Sequence, residues 1–477
     1  MTPPLVSVVV PAYNNAAFLG ATIKSVLDQT YPHFELLVVD DASPDDIAGV
    51  VARCDDRRLR YLVHERNKGL AAARNTGMRA SAGELIALLD GDDLFHPEKL
   101  RLHVAFHAQH PEVGVTYNAR FELNHSAETI RELWRPPLGV GLEDLVLGFP
   151  FGPSDMVLRR DWAFRVGLFD ERYTYYGEDL DINLRLGLAG CKFASVDRAL
   201  NYRRYHSRRE IQNIRSYQEA EIRPLLDLFA NPDCPPTVLA LRDLALANRY
   251  LGWAQMAFAQ DETSLGQEDC LLAVRFNPAL RQGKPSRLVR SFLAYSVLDE
   301  SQDHGLLLRR LFAQLPADLA DARADLGWAI SQGHLVKGVR AILWGRPAEG
   351  REHLARARAL GVQVEEAFLR GLSAQLLDYE AELGSEAAGE ALANLCRHLD
   401  GGDARRLRGL HALGRAFGRY SGGDLAEVPG DVLRAVANDP RHLRNRGAAA
   451  ILFRSLAGRA LGRARPARGS GTNAARV

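Results

Sequence analysis

Short apolar runs alternate with segments of helical spacing through the first ninety residues. Residues 5–10 (LVSVVV) are almost uniformly apolar, which predicts a strand buried on both faces. Residues 14–29 place Phe18, Ile23, Val26 and Leu27 at helical spacing. A strand at 35–39, a helix around 45–53, a strand at 59–63, a helix over 70–80 and a strand at 84–89 continue the alternation. This order implies right-handed crossovers and a mostly parallel, Rossmann-like α/β sheet, in which ligands sit at the carboxyl ends of the strands. Polar clusters stand at those ends: 11–15, 40–43 and 90–93.

Beyond about Pro235 the texture changes to Ala, Leu and Arg at helical spacing. Three stretches, 248–296, 326–361 and 410–458, share a loose pattern of helix, Gly-containing turn, helix, Asn/Asp-Pro break and helix. The first and third match best, AVRFNPALR against AVANDPRHLR. Stacked helical hairpins of a TPR-like kind follow, each needing a neighbour to bury its apolar face. Trp253, Trp328 and Trp344 are candidate sugar platforms, with core packing the simpler reading. The expected organisation is an α/β domain over 1–232, an all-α region over 236–458 and a basic disordered tail over 459–477. The tail has five arginines and no acidic residue.

A chain of 477 residues exceeds what one core usually organises, in keeping with several domains. The net charge of +1 gives no global field for nucleic acid, so no nucleic-acid partner is expected. Five dispersed cysteines (Cys54, Cys191, Cys234, Cys270 and Cys396) without a C-x-x-C pair suit a reducing compartment. The opening MTPPLVSVVVPAY has no basic leader, and no segment supplies eighteen uninterrupted apolar residues. Cytoplasmic location is therefore expected, with peripheral contact at the inner face of a membrane as the variant.

Three acidic clusters carry candidate chemistry. In VVDDAS, Asp40 and Asp41 follow a buried strand and can accept hydrogen bonds from a base or ribose; alternatively Asp41 or Ser43 caps the next helix. In LLDGDDLFHPEKL, Asp90, Asp92 and Asp93 crowd one turn, which suits Mg²⁺ or Mn²⁺, or caps a helix over 96–109. In YYGEDLDINLRL, Glu178, Asp179 and Asp181 open an amphipathic helix, either to complement its dipole or to supply a general base. Lys68 and Arg74 stand between the clusters, where they meet phosphate or solvate a helix face.

The ordered segments SVVVPAYNNAAFLGATIKSVLDQTYPHFELLVVDDASPDD, NKGLAAARNTGMRASAGELIALLDGDD and SDMVLRRDWAFRVGLFDERYTYYGEDLDINLRL resemble inverting family-2 glycosyltransferases of the GT-A (nucleotide-diphospho-sugar transferase) fold over about 4–206. The resemblance implies that Pro11, Ala12 and Tyr13 floor the nucleotide and that Asp41, with Asp40 beside it, holds the base. It implies that Arg74 lies near the diphosphate and ribose, with Lys68 as an alternative cation. Asp90 and Asp92 become the Asp-x-Asp pair, with Asp93 close by and Asp92 as the direct ligand of Mn²⁺ or Mg²⁺. Asp179 becomes the base within the pair Glu178-Asp179, and His206 a flap histidine at the metal. The implied function is inverting, metal-dependent transfer from a UDP-, GDP- or dTDP-sugar to a carbohydrate or glycolipid hydroxyl, in bacterial surface polysaccharide or glycoconjugate biosynthesis. The alternatives are a polyprenyl-phosphate glycosyltransferase at the membrane and a nucleotide-sugar-binding scaffold with helical repeats. The helical half would present the acceptor, order a homo-oligomer or dock partner enzymes.

Overall fold

The computed structural model describes residues 3–123, 130–148, 150–173, 176–204 and 213–460. The chain forms two compact units, Met1–Ile330 and Ser331–Val477.

The first unit begins with the alternation expected: β1 (Val6–Ala12), α1 (Ala16–Leu27), β2 (Phe34–Asp40), α2 (Ile47–Ala52), β3 (Leu59–Val63), α3 (Leu70–Ala80) and β4 (Leu85–Leu88). β1 is buried along its whole length. Val6, Val8 and Val10 enter one core, with Leu19, Ile23 and Val26 of α1, and Val9 enters the other, with Leu37 and Met78. Pro11, expected to end the strand, lies inside it. β1 pairs with β4 only through Val9, so the N–H that Pro11 lacks would face a side already unpaired. Pairing with β2 continues to Ala12 opposite Asp40. α1 starts two residues later than expected, because Asn14 turns the chain through a left-handed conformation at φ 52°.

The rest of the sheet is mixed. Following β4 come β5 (Leu94–Phe95), α4 (Lys99–Gln109), β6 (Val113–Leu123), β7 (Ile130–Trp134), β8 (Gly139–Val140), α5 (Leu142–Leu147), β9 (Val157–Arg159), α6 (Arg160–Arg165), α7 (Glu178–Leu188) and β10 (Lys192–Arg204). The strand order is β3-β2-β1-β4-β9-β6-β10-β5. β1 to β4 are parallel, whereas β9 runs antiparallel to both β4 and β6. The mostly parallel expectation thus holds for the half that carries the strand-end clusters and gives way beyond it. The connections from β1 diverge, to β2 on one side and across β4 on the other, which makes the β1/β4 edge a topological switch point.

The first unit continues into α8 (Ile214–Ala230), α9 (Pro236–Leu239), α10 (Arg242–Ala259), α11 (Thr263–Phe276), α12 (Arg287–Ser296) and α13 (His304–Ala313). Thr237 donates to Glu143 at 2.8 Å and Asn248 to the Leu147 carbonyl at 2.9 Å, tying α9 and α10 to α5. The chain goes on through α14 (Leu326–Leu343), α15 (Pro347–Ala359), α16 (Glu366–His398), α17 (Gly401–Ser421), α18 (Val428–Asn438) and α19 (Arg446–Ala460). The first and third repeat stretches share one grammar. A 3-10 turn, Pro278–Arg281 or Pro440–Arg444, is capped by the side chain of Asn277 or Asp439, which accepts from the backbone N–H two residues on. Two expectations fail in detail. The turn of the first stretch pivots on Asp261 at φ 62°, not on glycine, and the middle stretch lacks the Asn/Asp-Pro break. Trp253 is buried, and Trp328 and Trp344 pack against helical cores. Among the described residues no helix is long and apolar enough to cross a membrane. The proposed tail at 459–477 lies, from residue 461 on, outside the described residues.

Candidate active site

A cavity of about 390 Å³ opens at the switch point. Pro11, Ala12, Tyr13, Asn14, Asn15 and Phe18 line it from β1 and the start of α1, Asp41 from the end of β2, and Asp90, Gly91 and Asp92 from the end of β4. Asn67, Gly69, Leu70 and Ala73 close it from the start of α3. The Tyr13 ring is exposed, and Asn15 Oδ1 is buried without a hydrogen-bond partner among the described residues. A buried acceptor of that kind is costly unless a ligand or water satisfies it.

Asp40 and Asp41 do not cap α2; Asp46 does, accepting from the Gly49 N–H at 2.8 Å. Asp40 accepts from the Ser43 N–H at 2.8 Å and the Tyr61 hydroxyl at 2.6 Å, and so fixes the turn after β2. Asp41 pairs with His64 Nδ1 at 2.6 Å and accepts from the backbone N–H groups of Lys68 and Gly69, each at 2.8 Å. A carboxylate offers about four acceptor positions, so one remains open on Asp41. The Lys68 side chain is exposed and outside the cavity lining. Ser43 and Asp45 serve α1 instead: the Asn14 N–H donates to Ser43 Oγ at 2.7 Å and the Ala16 N–H to Asp45 Oδ2 at 2.7 Å.

The aspartates after β4 divide their labour, and none caps α4, whose start at Glu98 has no side-chain cap. Asp93 is buried, accepting from Ser154 Oγ at 2.8 Å and from the Arg204 N–H at 3.1 Å. Asp90 Oδ1 accepts from Arg74 at 2.7 Å. Asp92 is half-buried, and its carbonyl accepts from the Arg204 guanidinium at 2.6 Å. Gly91 must be glycine, since a Cβ there would lie 2.2 Å from Asn15 Nδ2 and 2.9 Å from the Pro11 carbonyl oxygen. Part of the charge crowding that suggested a cation is thus met by Arg74 and Arg204. Asp90 and Asp92 both line the cavity wall.

Arg74 is the hinge of the site. It is 2% exposed, and one arm donates to Asp90 of the cavity lining and the other to Glu178 at 2.6 Å. These two charges hold its guanidinium protonated against the opposing effect of burial. Glu178 is buried, and burial together with the neighbouring Asp179 raises its carboxyl above the ordinary range despite the opposing Arg74 charge. Asp179 accepts from the Leu180 N–H at 2.8 Å, and burial raises its carboxyl as well. Both stand in the first turn of α7, where the helix dipole favours the anion.

Gly177 sets the entry to α7 at φ +87°, and a Cβ there would lie 2.5 Å from the Ala220 carbonyl oxygen of α8. Gly177→Ala is therefore expected to cost about 2 kcal/mol of stability. It should also lower turnover at least about tenfold by moving the acidic pair; thermal melts and kinetics check both.

α8 and α10 bring residues beside Asp179 that no sequence motif signalled. The Tyr217 ring meets that of Tyr176 edge-on at 4.9 Å. Glu221 interacts with Tyr217, Trp253 and the Asp179 charge, and Arg249 approaches it at 3.6 Å. His206, expected at the metal, lies outside the described residues.

Residues 7–164 match the family described as Glycosyl transferase family 2. Over 101 residues, 21% of this chain, the sequence is 43% identical to UDP-Glc:alpha-D-GlcNAc-diphosphoundecaprenol beta-1,3-glucosyltransferase WfgD of Escherichia coli, covering 40% of that protein. Over 105 residues, 22% of this chain, it is 38% identical to the putative teichuronic acid biosynthesis glycosyltransferase TuaG of Bacillus subtilis, covering 42% of that protein. The match thus spans less than half the length of either relative. The structure of S. aureus TarS 1-349 in complex with UDP-GlcNAc aligns over 70% of this chain and 90% of that one, at 17% identity and a TM-score of 0.44. Residues 7–164, which hold the parallel β3-β2-β1-β4 half and the whole lining of the switch-point cavity, thus carry a family-2 glycosyltransferase domain with a GT-A-like sheet.

Proposed function

We propose that the chain is an inverting glycosyltransferase that moves a sugar from a nucleotide-diphosphate sugar to an acceptor hydroxyl in surface polysaccharide or glycoconjugate biosynthesis. One observation carries this reading: buried Arg74 joins the Asp90–Asp92 turn at the cavity wall to the Glu178–Asp179 pair. A donor-binding turn and a carboxylate pair with raised proton affinity are thereby locked into one rigid arrangement, as a displacement with a general base requires.

In this reading the nucleotide enters the cavity beside the exposed Tyr13 ring, with the open acceptor position of Asp41 and Asn15 Oδ1 taking its donors. The carboxylate oxygens of Asp90 and Asp92 suit a hard cation, so Mn²⁺ or Mg²⁺ fits the donor set, with Asp92 the direct ligand. When bound, that ion would offset the charge of the leaving diphosphate. Arg74 acts as a positioning residue, holding Asp90 and Glu178 at fixed separation. Asp179 takes the proton of the attacking hydroxyl; the new bond forms at the anomeric carbon as the bond to the diphosphate breaks, with inversion.

Asp92→Ala is expected to weaken Mn²⁺-dependent nucleotide-sugar binding at least about tenfold, with the fold intact. Calorimetry with UDP-, GDP- and dTDP-sugars, with and without Mn²⁺, reads it. Equal affinity of variant and parent would remove Asp92 from the donor site.

A further inference from the structure

The last described helix carries apolar surface on two sides. α19 turns Ala448, Ile451 and Ser455 inward, at the spacing of one helix face, onto the core built with Leu413, Ala416, Val428 and Val432. On its other side Phe453 is 80% exposed and Leu456 is 48% exposed. Leu443, in the 3-10 turn just before, is 69% exposed. Three large apolar side chains within fourteen residues of a surface helix and its lead-in are more than the scattered exposure normal for a protein surface.

The charge around them is one-sided. Residues 440–477 contain nine of the chain's 60 basic side chains and none of its 59 acidic ones. Arg444, Arg446 and Arg454 are exposed among the apolar side chains. A helix with outward Phe and Leu flanked by arginine, continued by an acid-free sequence, has the chemistry of a segment lying in a bilayer interface. There the arginines meet anionic headgroups and the apolar groups enter the acyl boundary.

We propose that α19 and the 3-10 turn before it dock this chain on a bilayer surface bearing anionic lipid. The assignment is independent of the donor chemistry and of the transferase reading.

Flotation of the full chain with vesicles tests it. Binding to vesicles containing phosphatidylglycerol should exceed binding to pure phosphatidylcholine vesicles at least about tenfold and weaken steeply with salt. Phe453→Ser combined with Leu456→Ser should lower that binding at least about tenfold without moving Tm, both side chains being exposed. Arg444→Gln with Arg446→Gln and Arg454→Gln should remove the preference for anionic lipid. Equal binding to both vesicle types, or binding indifferent to both sets of substitutions, overturns the proposal. So does a dimer in sedimentation velocity that Phe453→Ser dissociates while vesicles are ignored, since a second copy would then cover this face. Competition by a DNA duplex that is indifferent to Phe453→Ser overturns it as well.

Discussion

Asp179→Asn is expected to lower kcat by about a thousandfold while nucleotide-sugar affinity changes by less than about threefold. Asparagine keeps the size and the acceptor oxygen that meets the Leu180 N–H but cannot take a proton at neutral pH. The pH profile gives an independent check. The base works deprotonated, so kcat/KM falls as pH falls through its pKa. Burial raises that carboxyl, so the acid limb should lie above the ordinary aspartate value of about 4. Asp179→Asn should abolish this limb. Near-parental turnover in the variant, or an acid limb at the ordinary value, would remove Asp179 from the role.

The parallel half of the sheet was legible because its strands are buried on both faces and its helices on one, so the hydrophobic period changes visibly at each boundary. The β3 and α3 bounds, Leu59–Val63 and Leu70–Ala80, agree with that period to the residue. β9 left no such trace. Three residues long and antiparallel, it is specified by its neighbours rather than by its own pattern. The helix expected over 96–109 is present as α4, Lys99–Gln109, but its packing could not be foreseen. Its buried face is polar, with Lys99, His103 and His107 at i, i+4 and i+8 against Thr116 and Asn118 of β6, and periodicity of apolar residues cannot report a polar core. Burial there pushes the Lys99 amine down to about 7 and the His107 imidazole down to about 4, because it disfavours the charged form of each.

The acidic clusters of the site could be read because their residues are close in sequence. What ties them together could not. Arg74 and Glu178 are 104 positions apart, and only the fold makes them neighbours. The same holds for Arg204, which bonds to both the Asp92 carbonyl and, through its N–H, Asp93. Tyr217, Glu221 and Arg249 sit on helices with no recognisable motif, so their approach to Asp179 follows from packing at Ala220 against Gly177.

Arg74→Ala should have the largest effect on stability. It leaves Glu178, 4% exposed, without its counter-charge and takes from Asp90 the guanidinium that pairs with it at 2.7 Å. Stranding a buried carboxylate costs about 3–5 kcal/mol, which should lower Tm by about 10 °C. The pH dependence fixes the cause. Arg74 draws the Glu178 pKa down, so its removal raises that pKa further above the unfolded value of about 4.3. The native state then binds more protons than the unfolded state between those two values, and stability falls as pH rises through that window. The deficit of Arg74→Ala should therefore be larger at pH 8 than at pH 5. Arg74→Lys should recover part of Tm but little of kcat, because an ammonium cannot present two fixed arms to carboxylates on opposite sides. The acid limb of kcat/KM should also move to higher pH in Arg74→Ala, since the same charge lowers Asp179. A merely structural arginine would change Tm and leave that limb where it was.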